Sequence, residues 1–199
     1  MEIVNFIPTN QLIEKVRDTT MLNDKSIQPY KYADISVEDI PIDEFSPTQL
    51  YILRDHLEVQ KELRNSLLEK DCDTLRLYGS ILLKNAGVSI WMMPPIVEDD
   101  HEFGPCLLDG THRAYLAKQL GMKSLGVIRI RNTSKDMPII SLPNNWNEIV
   151  EYDTIPTDKS KKKRYRELPN KYDYYRDFSQ ITGIGKDPRS KITMELQNA

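Results

Sequence analysis

The chain of 199 residues suits one globular domain with a small appendage, since 39% of its residues are apolar and 29% are charged. No apolar run approaches the length of a membrane span, and the first ten residues, MEIVNFIPTN, lack the basic start and cleavage pattern of a signal peptide. These features predict a cytoplasmic protein without a membrane partner.

The formal net charge of -3 is divided unevenly along the chain. Asp and Glu outnumber Lys and Arg over residues 1–158, whereas residues 159–199 are basic. Because phosphate neutralisation by Lys and Arg dominates nucleic-acid affinity, the acidic body argues against a broad DNA-binding face. We therefore expect a body formed by residues 1–158 and a basic C-terminal extension, residues 159–199, that packs on it.

The two cysteines have neither metal-type spacing nor further cysteine partners. Cys72 and Cys106 are far apart in the sequence, and no other cysteine is present. A zinc site or a disulfide framework needs a closer or larger set of cysteines. We therefore interpret both as structural thiols.

The N-terminal part of the chain predicts a helix and then an edge strand. Residues 9–22 carry apolar side chains at helical spacing after a candidate cap at Thr9. Residues 35–44 alternate apolar and polar side chains, which is typical of a half-buried strand, and Pro41 interrupts the alternation.

A helical insertion is predicted next. Residues 46–49, Ser-Pro-Thr-Gln, combine a cap hydroxyl, a proline at the first helical position and a glutamine that can close a capping box. The leucines that follow form a helical face, and a shift in that face near Gln60 predicts a bend or a break. We expect helix over about residues 46–70 and a second apolar helix over residues 75–87, ended by Gly87.

The central part of the chain predicts strands around one helix. The strands are expected near residues 88–93, 95–97, 104–108 and 125–130. Between the last two lies Asp-Gly-Thr-His-Arg, residues 109–113, followed by apolar residues at helical spacing and by Gly121 as a stop. A strand therefore runs into a helix across a tight polar turn.

The C-terminal part predicts a charged run and a last helix. A further strand is expected within residues 148–155, and residues 159–166, KSKKKRYR, form a charge run of the kind that is usually solvated and mobile. Aromatic and apolar residues then recur every three positions up to Ile181 and predict a helix that docks on the body. The pair of glycines at 183 and 185 is too short a motif for a phosphate loop, and residues 186–199 are predicted to be disordered.

The polar turn has residue types suited to phosphate binding. The first turn of a helix has unpaired N–H groups and a partial positive charge, so it attracts anions. Gly110 lets the backbone approach a ligand, Thr111 offers a hydroxyl, and His112 and Arg113 add donors. Asp109 is a candidate ligand for a divalent cation that bridges phosphate oxygens. The alternative is an ordinary strand-turn-helix with Asp109 as its N-cap and a solvated basic pair.

The same stretch resembles the ParB/sulfiredoxin fold. The pattern of that fold is an extended Pro-Ile-Val, a strand, and Asp-Gly-x-His-Arg opening a helix that closes with Leu-Gly. Here Pro95-Ile-Val, Asp109-Gly-Thr-His-Arg and Leu120-Gly121 keep that order and spacing. The resemblance implies an α+β fold with a mixed sheet and surrounding helices, to which this chain adds the helical insertion and the C-terminal extension.

Two branches of this superfamily fit the chain poorly. Partition ParB proteins carry a helix-turn-helix DNA domain after this stretch, but residues 131–199 have proline breaks and no evident helix pair. Sulfiredoxins need a reactive cysteine where this chain has Thr111. The nearest cysteine, Cys106, lies in an apolar run that disfavours a thiolate.

Free-serine kinases of the ParB-like class resemble the chain at a second place. They carry Val-x-x-Ile-x-x-x-Glu upstream of the Asp-Gly-x-His-Arg loop, and this chain has Val37, Ile40 and Glu44 in that pattern. The glutamate of the family is the proposed base for the substrate hydroxyl, so the resemblance gives Glu44 this role. A surface carboxylate that favours a following helix N-terminus is the alternative. The resemblance covers roughly residues 35–45 and 75–130.

The resemblance implies a phosphotransferase that uses ATP or ADP with Mg²⁺ and acts on the hydroxyl of a small metabolite, with free L-serine as the leading candidate. Two alternatives stay open, namely a ParB-like ATPase or nuclease that acts on nucleic acid through residues 159–166, and a nucleotide-binding regulator without transfer. The catalytic candidates are Glu44, Asp109 and His112, the nucleotide-binding candidates are Gly110, Thr111, His112 and Arg113, and the metal candidate is Asp109.

Overall fold

The computed structural model describes residues 1–85 and 88–182, and within them the chain forms an α+β arrangement, as predicted. The strands are β1 (Glu2–Ile7), β2 (Thr20–Met21), β3 (Asp34–Pro41), β4 (Ser46–Pro47), β5 (Tyr51–Leu53), β6 (Ser80–Asn85), β7 (Val88–Met92), β8 (Ile96–Asp100), β9 (Gly104–Asp109), β10 (Ser124–Arg131), β11 (Val150–Tyr152) and β12 (Arg176–Asp177). The helices are α1 (Thr9–Arg17), α2 (Arg54–Leu68), α3 (Thr111–Gln119) and α4 (Ser179–Thr182). The predictions for Gly87 and residues 183–199 lie outside the described residues.

A mixed five-stranded sheet in the order β3-β10-β8-β9-β4 carries the central part of the chain. β10 is antiparallel to β3 and parallel to β8, β8 is antiparallel to β9, and β9 is parallel to β4. The three predicted central strands are therefore confirmed as β8, β9 and β10. The predicted edge strand is also confirmed, because β3 lies at the edge of the sheet and ends at Pro41.

Helix α3 lies on one face of this sheet. Its apolar residues Leu116 and Ala117 are fully buried with Leu107, Leu125 and Val127 of the sheet. The helix ends before Gly121, whose φ of 69° is the left-handed conformation that glycine adopts without a Cβ penalty. The predicted helix and its stop are thus confirmed.

The predicted helix start at Ser46 is wrong. Ser46 and Pro47 form β4, which pairs with the edge of β9, and Thr48 donates a hydrogen bond to the Leu107 carbonyl at 2.7 Å. Pairing with β9 gives the backbone N–H and C=O groups of this segment hydrogen-bond partners, so they do not need a helix to satisfy them. The helix begins only at Arg54 and runs without a break to Leu68.

Helix α2 also has no break near Gln60. Leu57 packs into the apolar cluster under α3, whereas Leu63 and Leu67 pack into a second cluster with Ile81 and Met92. The shift in the apolar face therefore reflects one continuous helix that contacts two different cores.

The predicted helix over residues 75–87 is wrong, because this segment contains the strand β6. β6 lies between β1 and β7 in an antiparallel three-stranded sheet. Ile81 and Leu83 are buried, while Lys84 is exposed, which is the alternation of a half-buried strand. The predicted strand over residues 88–93 is confirmed as β7.

The basic run at residues 159–166 is docked rather than mobile. The carbonyls of Lys162 and Arg164 accept hydrogen bonds from the backbone N–H groups of Leu50 and Leu142, each at 2.9 Å. The expected last helix is reduced to α4, and β12 in front of it pairs with β2. Of the described helices, none combines the length and the apolar composition needed to cross a membrane.

Candidate functional site

The candidate site is the turn from β9 to α3. β9 ends at Asp109, Gly110 has a φ of 86°, and α3 begins at Thr111. A Cβ atom on Gly110 would lie 2.7 Å from the Cβ of Pro95, which is closer than real Cβ atoms approach a neighbour. Both the backbone angle and the contact with Pro95 therefore require glycine. The predicted strand-turn-helix is confirmed, and Gly110, not Asp109, occupies the N-cap position.

Asp109 has a half-buried carboxylate at the end of β9. Across residues 1–85 and 88–182, its side chain makes no hydrogen bond or ion pair. Within the same residues, no group of three or more His, Cys, Asp or Glu side chains could hold a metal ion. A single carboxylate still fits Mg²⁺, because this ion is commonly bound by one or two carboxylates together with substrate phosphates.

His112 and Arg113 point into the protein rather than into solvent. Both are 8% exposed, and Thr111 beside them is also buried. The Nε2 atom of His112 accepts the backbone N–H of Leu53 at 3.0 Å, and Arg113 donates to the Met93 carbonyl. Accepting at Nε2 places the proton of the neutral imidazole on Nδ1. These contacts join the first turn of α3 to β5 and to the segment before Pro95.

The structure brings Asp109, Gly110, Thr111, His112 and Arg113 together but does not place Glu44 in contact with them. Glu44 is exposed in a 3-10 turn that follows β3. The pKa of Arg129 is raised, first by its hydrogen bond to Asp99 and to a smaller degree by the Glu44 charge.

The turn that carries Glu44 is held from both sides. The indole Nε1 of Trp146 donates to the carbonyls of Ile42 and Phe45, at 3.2 and 3.1 Å. The Trp146 ring also contacts the Phe45 ring edge to face, with 5.7 Å between centroids. Trp146 therefore holds the backbone on both sides of Glu44, whose side chain is exposed.

Sequence reasoning missed a buried ionic group on β8. Glu98 is 1% exposed and lies 2.7 Å from the Arg176 guanidinium, and the Tyr30 hydroxyl donates to the same carboxylate at 2.6 Å. Burial and the Glu98 charge raise the pKa of Tyr30 well above its usual range. The available signal was an acidic residue directly after the predicted strand at residues 95–97, but its partner Arg176 lies too far along the chain to be identified from the sequence.

A second acidic residue of β8 holds the basic run. The Asp100 carboxylate lies 2.6 Å from Arg166 and accepts the backbone N–H groups of Glu102 and Phe103. Burial raises its pKa, but the backbone hydrogen bonds and the Arg166 charge together outweigh burial, so the pKa of Asp100 is lowered. The carboxylates of β8 thus fasten the C-terminal extension to the sheet.

The Cys106 thiol faces the interior of the same sheet. It is fully buried, and burial raises its pKa to about 12. A thiol with such a pKa is protonated at neutral pH and is a poor nucleophile. Both cysteines are free, and the burial of Cys106 agrees with the interpretation of this residue as a structural thiol.

Together, the mixed sheet, the glycine turn and the helix on it define a small α+β domain with a strand-to-helix turn at the C-terminal end of β9. The family model of the ParB CE domain matches residues 11–150, and the chain therefore belongs to the ParB CE domain family. The match ends before the basic run, so the C-terminal extension lies outside it.

Comparisons with curated proteins and with solved structures add little to the family assignment. No curated protein matches the chain. Among solved structures, the chain is similar to the crystal structure of protein Atu1540 from Agrobacterium tumefaciens, at 14% identity and a TM-score of 0.35. That match covers 60% of this chain and 63% of the other, which is less than two thirds of its length.

Proposed function

We propose that this domain binds the phosphates of ATP or ADP at the turn from β9 to α3 and transfers a phosphoryl group to the hydroxyl of a small metabolite, with L-serine as the leading acceptor. The observation that carries the proposal is the Gly110 turn itself. Its left-handed φ and its contact with Pro95 put the first turn of α3 directly after the Asp109 carboxylate, which has no protein partner within the described residues.

Phosphate binding rests mainly on the backbone of this turn. The first N–H groups of any helix have no partner within it and carry a partial positive charge. Thr111 adds a hydroxyl, and Asp109 would hold Mg²⁺ against the phosphate oxygens. The metal would supply charge neutralisation for the transferred phosphoryl group.

His112 and Arg113 support the proposal as positioning residues. His112 ties the start of α3 to Leu53, and Arg113 ties it to Met93. Because both contacts fix the first turn of α3, losing either would misplace the N–H groups that face the phosphate.

Glu44 is the proposed general base. The resemblance to free-serine kinases gives it this role, and its carboxylate is exposed to a ligand that approaches from solvent. Trp146 fixes the backbone on both sides of it. An exposed carboxylate on a backbone held in this way can accept the proton of an acceptor hydroxyl as the hydroxyl oxygen attacks phosphorus.

A transfer assay tests the proposal. The protein is incubated with Mg²⁺, L-serine and either ATP or ADP, and phosphoserine is measured by mass spectrometry. We expect product with one of the two nucleotides and its loss in Asp109→Asn and His112→Ala. His101→Ala is the matched histidine control, because His101 is exposed and contacts the Thr133 carbonyl away from the turn. Absence of product with both nucleotides would remove serine as the acceptor, and absence of nucleotide binding would refute the proposal.

A further inference from the structure

A second histidine lies beside the candidate turn. His56 belongs to the first turn of α2 and is half-buried, and its ring contacts the ring of the buried His112. The two ring centroids are 5.4 Å apart, and the ring planes are inclined by 51°. Because His112 belongs to the first turn of α3, this contact joins the N-terminal turns of the two helices at the candidate site.

Helix α2 contacts the His112 imidazole in two different ways. The backbone N–H of Leu53, at the N-cap position of α2, donates to Nε2 at 3.0 Å. The outer side-chain torsion of a histidine has broad energy wells, so a hydrogen bond to one nitrogen leaves the ring able to tilt about that bond. The His56 ring adds a second contact, made with the ring itself, and this contact restricts the tilt.

The start of α3 depends on such contacts because it lacks a side-chain cap. Within the described part of the chain, no side chain caps the N-terminus of α2 or of α3 by a hydrogen bond. A capping side chain normally stabilises the first turn of a helix, but Gly110, at the N-cap of α3, has no side chain that could do so. The first turn of α3 is therefore oriented by what the side chains of His112 and Arg113 contact.

His56 lies outside the residues that resemble free-serine kinases. That resemblance covers roughly residues 35–45 and 75–130, whereas α2 covers residues 54–68. The contact between the two rings therefore adds a residue of the inserted segment to the turn that the resemblance identifies.

We propose that His56 is a positioning residue for the phosphate turn. Its ring holds the His112 imidazole in the orientation that accepts the Leu53 N–H, and the oriented imidazole fixes the first N–H groups of α3. The inference rests on the proposed phosphate binding at this turn. It deepens that proposal, because it makes nucleotide affinity depend on a residue of α2 that acts through His112.

Imidazole NMR tests the effect on His112 directly. Long-range proton–nitrogen spectra of the full chain report which ring nitrogen carries the proton, and His56→Gln, His101→Gln and His112→Gln assign the signals of the three histidines. We expect the His112 proton on Nδ1 in wild type. In His56→Gln, part of this population should move to the Nε2 tautomer, because the hydrogen bond from Leu53 weakens. An unchanged His112 signal in His56→Gln would overturn the inference.

Nucleotide titration tests the effect on the turn. Binding of ADP and of ATP with Mg²⁺ is measured by calorimetry, and His56→Gln should bind about 10–100-fold more weakly, because small misplacements of binding groups have effects of this size. His56→Phe keeps a ring against His112 and should stay within about threefold of wild type. The reverse order, with tight binding in His56→Gln and weak binding in His56→Phe, would overturn the inference, since a polar group would then matter rather than the ring.

Two further variants separate positioning from folding. Glu58→Ala is the matched control on α2, because Glu58 is exposed and pairs with Lys61 of the same helix at 2.7 Å. It should change neither the His112 tautomer nor nucleotide affinity, and an equal loss of affinity in Glu58→Ala would overturn the inference. Chemical denaturation is measured for every variant, and His56→Leu, which also lacks an aromatic ring, replaces His56→Gln if the latter does not fold.

The two proposals fail in different ways. A changed His112 tautomer in His56→Gln, without nucleotide binding by wild type, would refute the proposed function and leave His56 as the residue that orients His112. Phosphoserine formation by wild type, with unchanged nucleotide affinity in His56→Gln, would keep the transfer function and overturn the positioning role.

Discussion

Glu98 and Arg176 form a buried ion pair, 2.7 Å apart, that fastens the C-terminal extension to the middle of the central sheet. The guanidinium also donates to the carbonyls of Met137 and Pro138. Arg176 therefore joins three segments, namely β12, β8 and the loop that follows β10.

The first prediction concerns this pair. Arg176→Met leaves the Glu98 charge buried without its partner, which typically costs about 3–5 kcal/mol of the free energy of unfolding. Chemical denaturation measures the loss, and the double variant with Glu98→Leu should recover much of it. Arg54→Gln is the control, since the exposed Arg54 pairs with Asp153 at the surface and its loss should change stability little. An equal effect of Arg54→Gln and Arg176→Met would contradict the prediction.

The second prediction is a loss of stability in acid that depends on Asp100. Its pKa is lowered in the folded state, so the stabilisation is present above the unfolded pKa of about 3.9 and disappears as the pH falls through the folded pKa. Asp100→Asn should therefore be less stable than wild type at neutral pH, with a difference that shrinks below about pH 4. Denaturation at a series of pH values tests this. A difference that stays constant down to pH 2 would be evidence against it.

The third prediction concerns the glycine of the turn. Gly110→Ala should cost about 2–5 kcal/mol, because it combines a left-handed φ with overlap between the new Cβ and Pro95. Gly104→Ala is the matched control, since Gly104 also has a positive φ but no neighbour within 4 Å. Only the conformational cost of about 1–2 kcal/mol is expected there. If both variants lost the same stability, the close contact with Pro95 would have no energetic importance.

The fourth prediction tests Glu44 as the base. Glu44→Gln should lower the rate of phosphoryl transfer by about 10²–10⁴-fold and leave nucleotide affinity unchanged. Asp43→Asn, in the same exposed turn, removes a neighbouring carboxylate that pairs with Lys118 and should keep most of the activity. Single-turnover kinetics and nucleotide titration measure the two effects separately. Full activity of Glu44→Gln would show that another group takes the proton.

The fifth prediction is that duplex DNA does not bind at about 0.15 M salt. Arg164 and Arg166 of the basic run are paired with Glu148 and Asp100, at 2.5 and 2.6 Å. Pairing with protein carboxylates competes with phosphate contacts, which need available positive charge. Fluorescence anisotropy of a labelled duplex tests this. Salt-sensitive binding that disappears in Lys161→Gln/Lys162→Gln would instead favour the nucleic-acid alternative.

The central turn could be predicted from sequence because its signals are local. Gly110 and Gly121 lie at the two ends of α3, and the apolar runs on either side are short and clearly bounded. The positions of Asp109 to Arg113 follow directly from that order. The burial of His112 and Arg113 did not follow, because their partners Leu53 and Met93 belong to other elements.

The predictions that are wrong concern segments that pair with residues far away in the chain. Ser46 and Pro47 have a strong helix-start signal, but the open edge of β9 recruits them into a strand. Phe178 and Ile181 pack on the body as expected, although most of the predicted helix around them is replaced by β12 and a short turn. In both places a contact between residues far apart in the chain outweighs the local preference.

Helix α2 has a consequence for how the domain unfolds. Leu57 is part of the cluster beneath α3, while Leu63 and Leu67 complete the cluster against the three-stranded sheet. If either sheet separates from α2, the apolar contacts between α2 and the other sheet are lost as well. The two sheets are therefore thermodynamically coupled through one continuous helix, and the domain should lose both in a single cooperative transition rather than sheet by sheet.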